Sequence, residues 1–154
     1  MKGVPRRCQV VWVLAVSMFH AQSLVAQEQS GEGRVCSNAT LRGSFGYTSI
    51  GTLLDSAVPP PFAGPFAEVG RQAFDGKGNT DGTATLSANG NPNSVTIAGT
   101  YTVNPDCTGS MAVNVSPLGV TLDAYFVIDD HGAELRAIVT DAGVVESRVY
   151  KKQF

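Results

Sequence analysis

The chain is predicted to fold as a single all-β domain: an antiparallel up-and-down barrel of about eight strands with one disulfide. Three observations predict it. From Gly43 onward, Thr- and Val-rich runs alternate with Gly, Asn, Asp or Pro turns about every 10 to 15 residues, and no run repeats at the helical period. Within the runs, apolar and polar residues alternate, so one sheet face is dry and the other wet. Eight successive hairpin-linked strands also leave two unpaired edges unless the sheet closes on itself. The 154 residues, only 16% of them charged, give room for one domain.

Residues 1–26 read as a secretory signal peptide. Lys2, Arg6 and Arg7 precede an apolar run from Val10 to about Phe19, and small residues follow that offer processing sites at 21–23 or 24–26. The run is about half the roughly 20 residues that span a bilayer, so no membrane span is expected in the mature chain. The expected address is secreted or periplasmic. Cleavage removes three bases and no acid, leaving eight bases against 13 acids, a formal charge of −5. Those eight bases are scattered, which argues against a nucleic-acid partner. Residues 27–35 are polar and Gly-containing, and are expected to form a disordered leader before a barrel domain over 36–154.

Cleavage also removes Cys8 and leaves the pair Cys36 and Cys107, which in an oxidising compartment predicts a disulfide. Closing a loop of about 70 residues is worth roughly 4 kcal/mol in the chain-entropy account. Strands are predicted over Gly43–Leu54, Phe66–Phe74, Gly82–Ala88, Val95–Asn104, Ser110–Ser116, Thr121–Ile128, Glu134–Thr140 and Val144–Lys152, with Asn38–Thr40 as a short turn leading into the first. The alternation is clearest at Val95, Ile97, Tyr101 and Val103 against Thr96, Thr100 and Thr102. The segments DGKGNTD, NGNPN, PDCTG, PLG, DDHG and DAG supply hairpin connections, and the recurring Gly51, Gly82, Gly99 and Gly109 are read as marking strand starts. An immunoglobulin-type sandwich lacks its marks here: the only Trp is Trp12, and Pro105 stands two residues before Cys107.

The stretches CSNATLRGSFGY, FAEVGRQAFDGKGN and GTYTVNPDCTG resemble an uncharacterised family of small secreted bacterial β-barrel proteins. The resemblance implies a compact barrel with one disulfide, akin to allene oxide cyclase or lipocalin-like barrels, and it brings no catalytic residue. Gly43-Ser-Phe45 is similar to the Gly-x-Trp of lipocalins, with Phe in place of Trp.

No catalytic residue, metal site or cofactor is predicted. The mature chain has one His, His131, in a tight Asp129–Gly132 turn with no Ser or free Cys assigned to it. Asp75–Asp81 resembles a calcium loop faintly, but Lys77 occupies a ligand position and the plain reading is a hairpin. The candidate ligand-binding residues are Tyr47, Glu68, Gln72, Tyr101 and Phe126. Glu68 and Gln72 share a strand face with Phe66 and Phe74, and an aromatic face turned inward would bury both polar groups, which must then be paired or await a ligand. The Pro-rich connection 55–65 is read as a link between strands, with a lid over the barrel mouth as the functional alternative.

The function expected is therefore a secreted, non-catalytic barrel binding a small, mainly lipophilic molecule. The alternatives are an envelope or extracellular interaction scaffold and a cyclase- or isomerase-like enzyme using Glu68.

Overall fold

The computed structural model describes residues 35–154, so the expected signal peptide and nearly all of the leader lie outside the described residues. Eight strands follow one another: β1 (Gly43–Leu53), β2 (Gly64–Phe74), β3 (Asn79–Ala88), β4 (Asn91–Val103), β5 (Thr108–Ser116), β6 (Val120–Asp129), β7 (Glu134–Val139) and β8 (Val144–Lys152). Each pairs antiparallel with its neighbour and β8 returns to β1, closing the barrel in the predicted up-and-down order. Closure removes both sheet edges.

Two strands, β3 and β4, start three and four residues earlier than their composition suggests. Asn79–Asp81 and Asn91–Ser94 are paired in the ladder, with Asn79 opposite Thr100 and Asn91 opposite Ala88. The β3–β4 turn is thereby reduced to Asn89-Gly90, at φ 48° and 82°. Positive φ at both central residues is the Asn-Gly hairpin geometry whose twist matches the flanking strands. Gly51, Gly82 and Gly99 lie inside strands, not at their starts. They face inward with Gly109, and a Cβ at each would run into the neighbouring backbone at Val145, Arg71, Ala112 or Thr102. These glycines let the strands coil tightly enough to close.

One end of the barrel is packed solid. Phe74 meets Phe45, Tyr101 and Tyr150 edge-on at centroid distances of 5.4, 5.1 and 6.2 Å. Phe126 is fully buried and fills the space left by the missing side chain of Gly109. A 3₁₀ turn, Asn38–Leu41, lies under this end and presses the fully buried Leu41 into it. The Cys36–Cys107 disulfide, with Cα atoms 5.0 Å apart, pins the turn to the β4–β5 connection. Cys36 N–H donates to Pro105 O, Val103 N–H donates to Asn38 Oδ1, and the Tyr101 hydroxyl donates to Asn38 O. Asn38 thus serves the plug, and the turn expected at 38–40 is this one.

Candidate functional site

The inward row of residues changes character halfway along the barrel. In register, Ser49 of β1 stands opposite Glu68 of β2 on one side and opposite Arg148 of β8 on the other, while Gly51 stands opposite Glu146. Side chains in one register row point to one face, so Glu68, Ser49, Arg148 and Glu146 meet inside the barrel. Glu146 Oε1 accepts from the Ser49 hydroxyl and from Arg148 Nε, both at 2.5 Å. The Tyr47 hydroxyl donates to Glu68 Oε1 at 2.8 Å. Arg148 lies over the Tyr47 ring, 5.8 Å from its centroid, and its Nη2 is 3.9 Å from Glu68 Oε2. Gly70 makes this possible, since a Cβ there would collide with Tyr47.

Above this floor the barrel is hollow. A chamber of about 510 Å³ opens at the end opposite the disulfide, and Glu68, Glu146 and Arg148 form its base. Its walls are mainly apolar, with Leu53, Phe66, Leu86, Val115 and Val144 among them, and Asn93, Thr121 and Asp141 also line it. The Pro-rich connection bends over the mouth, contributing Ala57, Val58, Pro59 and Phe62. Asn89 Nδ2 donates to Pro61 O at 2.9 Å on one side, and Leu54 N–H donates to Gly143 O at 2.8 Å on the other. The connection is therefore part of the mouth as well as a link between strands. A shallower depression on the outer wall, lined by Val69, Arg71, Thr83, Thr85, Ser94 and Thr96, holds no buried charge.

Burial sets the electrostatics of the floor. Desolvation pushes the Glu68 carboxyl above its ordinary range, against the opposing pull of Arg148 and the Tyr47 hydrogen bond, and the nearby Glu146 charge adds to the rise. The Tyr47 hydroxyl is pushed well up by burial first and by the adjacent Glu68 second. Burial alone would lower Arg148, but Tyr150, Glu146 and Glu68 around it raise it overall, so the guanidinium stays charged.

Of the five residues predicted from sequence, Glu68 lines the chamber and Tyr47 lies directly behind it. Gln72 is deeper and sealed, donating to Thr80 Oγ1 at 2.9 Å and accepting from Tyr150 at 3.2 Å. Tyr101 and Phe126 belong to the packed end and do not line the chamber. Sequence reasoning missed Ser49, Glu146 and Arg148. Their signal is the alternation Glu146, Arg148, Tyr150 in β8, masked by Val145 and Val149, which point outward and are 60% and 40% exposed. The Asp75 loop uses its carboxylate internally: Oδ1 accepts from the N–H groups of Lys77, Gly78 and Asn79, and Oδ2 from the Asn79 side chain.

Fold and site define a closed eight-stranded antiparallel barrel that is solid at one end and hollow, with a charged floor, at the other. The fold is similar to that of two solved structures. A solved structure described as a redesigned beta barrel, b11L5F_LGL, superposes with a TM-score of 0.55 at 15% identity, covering 81% of this chain and 100% of the other. A second, EF1p2_mFAP2b bound to DFHBI, gives 0.50 at 13% identity over 74% of this chain and 94% of its own. No protein-family model and no curated protein sequence matches the chain.

Proposed function

We propose that this is a secreted, non-catalytic barrel that binds a small molecule with an apolar body in the chamber at its open end. One observation carries the reading: the interior opens into a chamber where a largely apolar wall stands over a buried polar floor, the arrangement of small-molecule sites. A volume of about 510 Å³ falls in the range of such sites. The similar structure of EF1p2_mFAP2b bound to DFHBI supports the capacity of this architecture to hold a small molecule, and the disulfide fits a non-cytoplasmic address. The resemblance to secreted bacterial barrels agrees with that address.

The test is titration with a neutral polarity-sensitive dye, using the native protein and Ala88→Trp, which places an indole in the chamber. Saturable binding that the variant loses while keeping its far-ultraviolet circular dichroism supports the reading. Absence of binding, or binding indifferent to Ala88→Trp, overturns it.

A second reading, a cyclase- or isomerase-like enzyme, draws on Glu68: a buried carboxyl with a raised pKa at a chamber floor suits proton transfer. It requires that Glu68→Gln abolish turnover of a bound substrate. Full turnover by that variant would remove it.

A further inference from the structure

The floor has more acceptors than the protein's own donors use. Glu68 is bonded through Oε1 alone; its Oε2 is 3.9 Å from Arg148 Nη2, beyond hydrogen-bond reach. Glu146 takes both of its bonds on Oε1, and no described residue donates to its Oε2. Both side chains are more than nine-tenths buried, yet among the described residues no side-chain oxygen or nitrogen that is shut off from solvent lacks a partner. The two unused oxygens therefore keep solvent contact, and the cavity that Glu68 and Glu146 both line is the chamber. An acceptor left bare in a low-dielectric cavity is costly, and a donor brought to it by a ligand gains accordingly.

The sign of the charge follows from the lining. Glu68, Glu146 and Asp141 supply three carboxylates and Arg148 the sole cation among the charged residues that line the chamber. Arg148 also has donors besides Nε, but an anion brought to them would sit beside Glu68 and Glu146 at the bottom of a cavity, where like charges repel strongly. A cation meets the opposite field, focused by the apolar walls.

We propose that the chamber selects a cationic amphiphile: a protonated amine at the floor, shared by Glu68 and Glu146, with an apolar body running up between Leu86, Val115 and the Pro-rich connection. This rests on the chamber being the binding site, and the experiment separates the two claims. Decylamine, decanol and decanoate, equal in apolar length, compete for the chamber against a neutral dye at about pH 7, where the amine and the acid are both charged. The expected order is amine, then alcohol, then carboxylate, with about tenfold or more between the first and the last. Glu68→Gln and Glu146→Gln, nearly isosteric, should each shrink the ratio of amine to carboxylate. Equal binding of amine and carboxylate, or preference for the carboxylate, overturns the head-group assignment while leaving the chamber as a site. Failure of all three, the neutral alcohol included, overturns both.

Discussion

The two ends of this barrel are built from the same alternating strands, yet one is filled and the other is empty. At the disulfide end, Phe45, Phe74, Tyr101, Phe126 and Tyr150 meet across the axis and Leu41 closes the bottom. At the other end Phe66 is the one inward aromatic among the described residues and most of the rest are smaller or charged: Leu53, Leu86, Ala88, Glu146 and Arg148 do not reach across, and a chamber is left. An eight-stranded barrel is at the width where side-chain size decides between core and cavity. Packing and cavity are thus divided along the axis, with the buried Gln72 and Tyr150 at the boundary between them.

Replacing the same residue type at each end tests that division. Phe126→Ala should cost about 3 to 5 kcal/mol in urea unfolding, because a void opens in a packed region. Phe66→Ala, beside a chamber that already exists, should lose little more than the transfer contribution, about 2 kcal/mol. Equal losses would mean that the two ends are packed alike. Next in size is Arg148→Met, which leaves Glu68 and Glu146 uncompensated and should cost about 3 kcal/mol near neutral pH. Much of that loss should return in acid as the carboxylates take up protons, which a pH series of melting curves would show.

Glu68 itself should give a smaller, pH-dependent effect. Its folded-state pKa is raised above the ordinary 4.5, so the folded protein holds a proton that the unfolded chain releases. Its contribution to stability is thus fully present below about pH 4.5 and declines as pH rises through the folded value. Glu68→Gln should flatten that part of the profile; an unchanged profile would place the titration elsewhere. The groups facing Glu68 are Tyr47, Glu146 and Arg148, and only Arg148 opposes the rise with charge. Amine affinity should increase over the same window, since deprotonated Glu68 is the better partner.

The smallest effect belongs to Asp75, on the exposed turn at the packed end. Its carboxyl is held down at about 2 by the Asn79 side chain first and by backbone N–H groups of the loop. The folded value is depressed, so its contribution is present above the ordinary carboxylate range and is lost as pH falls through about 2. Asp75→Ala should lower the melting temperature slightly and leave dye binding untouched. A change in binding would couple the turn to the chamber.

Fold and disulfide were legible because β4 and β5 carry mainly Thr, Ser and Asn on one face and Val, Ile, Met and Tyr on the other, while cysteine arithmetic left one pair. The site was legible only in Glu68 and Tyr47. In β2 and β8 both faces are part apolar: Val69, Val145 and Val149 point outward while Glu68, Gln72, Glu146 and Arg148 point inward. A period of two separates faces but does not say which is inside when each holds Val and a charge. Arg148 reads as a scattered surface base until β8 closes onto β1 and brings it opposite Ser49. The chamber depends on side-chain reach across the barrel, which no single strand encodes.

The proposed binding is confined to the open end. Two-dimensional amide and methyl NMR during titration with a neutral apolar probe tests it most directly. Shifts are expected at Leu53, Leu86, Val115, Leu122 and Val144, with Phe45, Leu41 and Phe126 unmoved. Shifts concentrated at the disulfide end or on the outer strand faces would contradict it.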